Sequence, residues 1–257
     1  VNAGARTPGR LPGKTALVTG ATSNIGRAIA IAYAAEGAVV AVSGRDGTRG
    51  AQVVAEITDA GGRAVFVPAT LDGSAAASRK LAADTAAALG ADIDILVNNA
   101  GIFPGATTAA TDEAMFDQVF AVNVKSAFFL TAEIAPKMAA RGTGSVIVLG
   151  SWIVRLGIPV ATAYAASKGA LETLTRAWAA EYGTHGVNVN AISPGVIAEN
   201  PAEGADHYVR GTVANKVESP QQIAHAAVYL ASDEASFIHG VVLDVDGGRT
   251  TVAVTGA

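Results

Sequence analysis

The sequence contains no cysteine. That excludes disulfides, thiolate metal sites and cysteine nucleophiles. Aromatic residues make up only 5% of the 257 residues and charged residues only 16%. Ala, Val and Gly take their place, which suits tightly packed helices on a Val-rich sheet better than an aromatic-lined binding surface. Lys and Arg form no cluster and the formal net charge is −4, so nucleic acid is not an expected partner, because phosphate contacts need grouped cations. No uninterrupted run of about 18 apolar residues occurs, so no membrane span is expected. The four histidines, His185, His207, His225 and His239, are scattered without ligand spacing, and no metal site is expected. The first residues, Val1 to Arg10, are polar, contain Gly and Pro, and lack the apolar core of a signal peptide. They read as a flexible N-terminal arm (1–10) on a cytoplasmic protein whose single domain spans 11–257.

What is present is alternation. Apolar strand-like runs at Lys14–Thr19, Ala38–Ser43, Ala64–Pro68, Ile93–Val97, Ser145–Leu149, Val187–Ile192 and Val241–Val245 are separated by Ala-rich helical tracts. Among these tracts are Arg27–Glu36, Thr48–Ala60, Ser74–Leu89, Asp112–Ala139 and Pro220–Ala231. Strand–helix alternation along the whole chain predicts an α/β fold: a doubly wound Rossmann-type parallel sheet with helices on both faces. No linker or repeat divides it. The segment 196–218 has weak periodicity and several polar residues, and reads as a substrate lid.

The first strand runs into Gly20-Ala21-Thr22-Ser23-Asn24-Ile25-Gly26 and then a helix. Strand, glycine turn, helix is the context in which backbone N–H groups and a helix dipole receive a pyrophosphate. Asn24 stands at the middle position, where a glycine is expected. Asn tolerates left-handed backbone angles, so the turn survives. After the second strand come Gly44-Arg45-Asp46-Gly47, where a dinucleotide's adenosine ribose is met. Arg45, with Ser23 as a second contact, suits the 2′-phosphate of NADP(H). The competing reading gives the ribose to Asp46 and makes NAD the cofactor. NADP(H) is favoured over NAD(H). Leu71 and Asp72, just past the third strand, are expected near the adenine. Asn98-Asn99-Ala100-Gly101 closes the fourth strand, as small and amide residues do in a cofactor crevice.

Tyr164 and Lys168 are four apart and share a helix face. An ammonium beside a phenol lowers its pKa, and a phenol so tuned exchanges protons with an alcohol or carbonyl oxygen. Ser151 follows the fifth strand, at the end where α/β sites form. Asn123, an amide inside an apolar helical stretch, is either a satisfied structural residue or part of a polar network.

In this joint order the residues resemble the short-chain dehydrogenase/reductase family over nearly the whole chain. Thr19-Gly20-x-x-x-Asn24-x-Gly26 is similar to the family's cofactor loop, with the Asn substitution. Asn98-Asn99-Ala100-Gly101 matches its sheet-stabilising element, and Tyr164-x-x-x-Lys168 its catalytic pair. Ser151 and Asn123 stand where its other two catalytic residues fall. Pro194-Gly195 resembles the element beside the nicotinamide, and Asp246-Gly247-Gly248 a signature near the subunit interface. Thr70 replaces an aspartate common near the adenine. Glu199 replaces a threonine that bonds the nicotinamide carboxamide, a role that falls here to the Ile197 backbone.

The resemblance implies hydride transfer between nicotinamide and a small ketone or secondary alcohol. Ser151 would bond the substrate oxygen and Tyr164 would act as general acid or base. Lys168 would lower the Tyr164 pKa and bind the ribose, and Asn123 would hold a water. The substrate pocket is expected between Trp152 and Ile153 on one side and the lid on the other, near Phe103 and Pro104. A homotetramer built on the two long helices is implied. Reduction of 3-oxoacyl groups on acyl carrier protein and a catalytically silent cofactor-binding regulator are the alternatives carried.

Overall fold

The computed structural model describes residues 9–198 and 208–253. Seven strands form one all-parallel sheet: β1 (Thr15–Thr19), β2 (Val39–Gly44), β3 (Arg63–Pro68), β4 (Ile95–Asn98), β5 (Gly144–Leu149), β6 (Val187–Pro194) and β7 (Val242–Val245). Their spatial order is β3-β2-β1-β4-β5-β6-β7. The helices are α1 (Asn24–Ala35), α2 (Gly47–Asp59), α3 (Ala75–Leu89), α4 (Glu113–Phe120), α5 (Ser126–Arg141), α6 (Thr162–Tyr182) and α7 (Pro220–Ala231).

The two faces of the sheet follow from side-chain alternation. Ala16, Val18, Val40, Val42, Ile95, Val97 and Ile147 pack with Ile29 and Tyr33 of α1 and Ile223 and Val228 of α7. Their neighbours in sequence, Leu17, Ala41, Leu96, Val146 and Val148, point the other way, to Leu81 of α3, Leu130 of α5, and Leu171 and Trp178 of α6. Both faces are dry, which is why the strands read as continuous apolar runs. The fully buried Tyr33 donates from its hydroxyl to the Ala227 carbonyl at 3.1 Å, tying α1 to α7. At the start of the domain, Arg10 pairs with Glu36 at 2.6 Å. The rest of the expected arm, 1–8, lies outside the described residues.

The tract expected as one helix over 112–139 is α4, one π-helical turn (Ala121–Lys125) and α5. The added residue in that turn carries Asn123 inward. The combined helix is long and apolar enough to cross a membrane by length and composition. Here it packs on α3, α6 and the sheet.

Strand order reverses between β1 and β4. A crevice opens at the carboxyl ends of strands at such a switch point, and the candidate site lies there.

Candidate active site

The turn after β1 is fixed by Thr19 and Asn99. The Thr19 hydroxyl donates to the Val97 carbonyl and accepts from the N–H groups of Asn99 and Ala100, each at 3.0 Å. The Asn99 amide donates to the carbonyls of Thr19 and Gly20 at 2.8 and 3.1 Å. The turn passes so close to these groups that a side-chain carbon at Gly26 would lie 2.3 Å from the Gly20 carbonyl oxygen. Asn24 adopts φ 46°, the left-handed region anticipated for it. The Ser23 hydroxyl makes no capping hydrogen bond to α1, so it is not engaged by its own helix.

These groups border a cavity of 460 Å³. Gly20, Ser23, Asn24, Ile25 and Gly26 form one wall, with Arg45 and Leu71 at one end. Asn99, Ala100 and Gly101 line the middle, and Ser151, Tyr164, Lys168, Pro194, Gly195 and Ile197 the other end. The cavity is elongated in sequence terms from the tip of β2 to the start of α6, and glycine leaves room along its wall. A dinucleotide fits such a cradle. The first turn of α1 would hold the pyrophosphate, Arg45 the adenosine end, and Lys168 and Ile197 the nicotinamide end.

Ser151 follows β5 and heads a single 3₁₀ turn (Trp152–Val154), its hydroxyl accepting from the Ile153 N–H at 3.4 Å. Tyr164 and Lys168 occupy the first turns of α6. Lys168 is buried, donates to the Leu149 carbonyl at 2.7 Å, and lies 5.6 Å from the Tyr164 ring centre. Burial pushes its ammonium down to about 8. Phe103 meets the Tyr164 ring edge-on at 4.7 Å. Burial also raises the Tyr164 pKa, while a hydrogen bond from Ser151 opposes the rise. The expectation that the ammonium sets a low phenol pKa therefore needs correction: desolvation outweighs the stabilising contacts, and the opposing contact is Ser151.

Two expected site residues do not line the cavity. Asn123 is buried on the far side of Gly101. Its Oδ1 accepts from the Ile102 N–H at 2.8 Å, and its Nδ2 donates to the Ile102 carbonyl at 3.1 Å and the Ser167 hydroxyl at 3.0 Å. Both amide protons are used, which leaves one Oδ1 lone pair toward any water. Asp72 accepts from the Ser74 N–H at 2.8 Å ahead of α3. That bond, with the Ser74 hydroxyl, holds its carboxyl below the usual range.

Asp46, the alternative ribose ligand, is the N-cap of α2. It accepts from the Arg49 N–H at 3.0 Å and pairs with the Arg49 guanidinium at 2.8 Å. Arg49 itself lines the cavity beside Arg45. Sequence reasoning missed it, although Asp46 just before the helical tract is an N-cap residue type. Gln118 of α4 and Val122 of the π turn are also in the lining, and neither carried a signal in the sequence. Of the expected substrate walls, Phe103 lines the cavity and Ile153 is buried in the core. Trp152 carries the Arg249 guanidinium 3.9 Å above its ring. Glu199 and the rest of the lid segment 199–207 lie outside the described residues.

A family model described as enoyl-(acyl carrier protein) reductase matches residues 20–250. A galactitol 2-dehydrogenase (L-tagatose-forming) of Cereibacter sphaeroides is 40% identical, over 95% of this chain and 98% of its own. A solved protein titled as a short chain dehydrogenase/reductase family protein is 44% identical, with TM-score 0.87, over 95% of this chain and 100% of its own. A blue fluorescent protein from a metagenomic library, solved in complex with NADPH, is 30% identical with TM-score 0.86. It covers 93% of this chain and 98% of its own.

Proposed function

The chain belongs to the short-chain dehydrogenase/reductase family of oxidoreductases, and from that premise we propose that it is an NADP(H)-dependent enzyme interconverting a small ketone and its secondary alcohol, with Tyr164 as general acid and base. The observation that carries this reading is the convergence of Ser151, Tyr164 and Lys168 on the cavity that the glycine turn also borders.

When bound, the nicotinamide supplies or accepts the hydride. The rest falls to the chain. The Ser151 hydroxyl donates to the substrate oxygen and orients it toward Tyr164. In reduction the Tyr164 proton passes to that oxygen, leaving a phenolate. In oxidation the phenolate takes the alcohol proton. The Leu149 carbonyl fixes the Lys168 ammonium where it would meet the nicotinamide ribose, and the Ser151 hydroxyl is the contact that favours the phenolate. The Asn123 side chain holds the Gly101–Ile102 backbone, and its remaining lone pair binds a water through which Lys168 reaches solvent.

NADP(H) is preferred on this reading because Asp46 is committed to the α2 cap and to Arg49. Arg45 and Arg49 are then the charged groups in the cavity lining at that end, and a guanidinium pair suits a 2′-phosphate. The likeness to a galactitol dehydrogenase favours, as a second reading, NAD-linked oxidation of a polyol. The groove of Phe128, Phe129 and Leu174 between α5 and α6 supports assembly through those helices, as a homotetramer.

The test is a fluorescence titration of the protein with NADPH and with NADH. Affinity for NADPH at least about tenfold tighter, lost in Arg45→Ala, is expected for a charge-assisted phosphate contact. Tighter NADH overturns the preference. Binding of neither overturns the enzyme reading.

A further inference from the structure

A second cavity, of 360 Å³, adjoins the first and shares Gly195 and Ile197 with it. Its charged lining is nearly all compensated internally. Lys216 pairs with Glu218 at 2.8 Å. Asp244 pairs with Arg155 at 2.6 Å. Asp246 accepts from the N–H groups of Gly248, Arg249 and Thr250 and from the Thr250 hydroxyl. Arg249 differs. Among the described residues its guanidinium has no carboxylate partner, and its Nε is buried without a hydrogen-bond partner. It is nevertheless held in place. One Nη donates to the Tyr208 carbonyl, and the guanidinium carbon lies 3.9 Å over the ring centre of Trp152, the residue after Ser151. A guanidinium fixed in a cavity, with a buried N–H unused and no carboxylate partner among the described residues, suits a planar anion, because its fork matches a carboxylate.

We infer that Arg249 binds a carboxylate of the substrate, so that the preferred ketone is an oxo acid and the preferred alcohol a hydroxy acid. This rests on the oxidoreductase reading above and adds to it the class of substrate. The two cavities meet at Gly195 and Ile197, so a substrate that reaches from Tyr164 to Arg249 passes these residues, and a series of oxo acids reads the length of chain between its carbonyl and its carboxylate.

The experiment compares acetoacetate, laevulinate and the next longer oxo acid, each against its methyl ester, as substrates with NADPH. The expected result is one acid exceeding its ester by about 10- to 100-fold in kcat/KM, the range of a charge-assisted contact. In Arg249→Leu the acid-to-ester ratio should fall to about 1, and in Arg249→Lys part of it should return, with NADPH affinity unchanged in both. Esters equal to or better than acids at every length overturn the inference, as does a ratio that survives Arg249→Leu. If no ketone of either kind is reduced, it is the reading as an NADPH-linked reductase of small ketones that fails. The carboxylate site is then judged by titrating the same acids against tryptophan fluorescence. A change present in the wild type and lost in Arg249→Leu supports the site, and no change overturns it.

Discussion

The Lys168 ammonium stands 5.6 Å from the centre of the Tyr164 ring while donating to the Leu149 carbonyl at 2.7 Å. The hydrogen bond anchors the cation to the end of β5, and the helix sets the phenol above it. The phenol can be removed without disturbing the anchor. Tyr164→Phe should therefore lower kcat by about 10²–10⁴, the usual size of general acid–base help, with NADPH affinity retained. Steady-state rates and a fluorescence titration on the same preparation check both halves. Near-normal turnover would exclude Tyr164 as the proton donor.

The pH dependence of alcohol oxidation tests the Ser151 contact. Burial raises the Tyr164 pKa and the Ser151 hydrogen bond lowers it. Oxidation needs the phenolate, so kcat/KM should climb with pH toward the pKa of Tyr164. Ser151→Ala removes a donor that stabilises the phenolate. Its profile should shift to higher pH, apart from any loss in absolute rate. A profile unmoved or shifted to lower pH would show that Ser151 does not act on the phenol.

Lys168 makes a stability prediction of definite sign. Burial takes its pKa from 10.5 to about 8. Between those values the unfolded chain binds more protons than the folded one, so stability rises with pH there. Below about 8 both states are protonated, and the cost of the buried charge is complete and constant. The urea midpoint of the wild type, relative to Lys168→Met, should thus be flat below about pH 8. Above it the difference should move in favour of the wild type, by at most about 1.4 kcal/mol per pH unit. A flat difference across the whole range would mean that the ammonium is better solvated than its burial implies.

What the sequence made legible was what depends on short-range pattern. Continuous apolar runs marked the strands because both faces of the sheet are dry. Asn24 was readable because few residues accept its backbone angle. Strand ends were less secure: β4 begins at Ile95 rather than Ile93, and Asp94 before it accepts from the Thr15 backbone and hydroxyl through its side chain. The orientation of Asn123 was not legible, since it follows from one π turn inside an apolar tract whose period is otherwise helical. Nor was Arg249, which meets Trp152 across the ends of β5, β6 and β7 in the folded sheet; its 97-residue separation leaves no local signal.

Asn24 at φ 46° should tolerate only residues at ease in the left-handed region. Asn24→Gly is expected to stay within a few tenths of a kcal/mol of the wild type, while Asn24→Val should cost about 1–2 kcal/mol and weaken cofactor binding by distorting the turn. Urea denaturation, read with the NADPH titration, separates the two effects. Equal stability of Gly and Val variants would mean that the turn relaxes to another conformation.

Asp46 and Arg45 are adjacent, and the two cofactor readings assign them opposite roles. As the α2 N-cap, Asp46 accepts from Arg49 through both backbone and side chain, and these contacts hold its carboxyl below the ordinary range. Asp46→Ala should therefore lower the thermal midpoint by loosening the start of α2. It also releases the Arg49 guanidinium from its carboxylate partner, so NADPH should bind as well as before or better. NADH affinity should not fall, because on this geometry no ribose hydroxyl depends on Asp46. A selective loss of NADH binding in Asp46→Ala, with NADPH unchanged, would move the ribose contact to Asp46. Arg45 would then be an exposed turn residue, and polyol oxidation with NAD the activity to pursue.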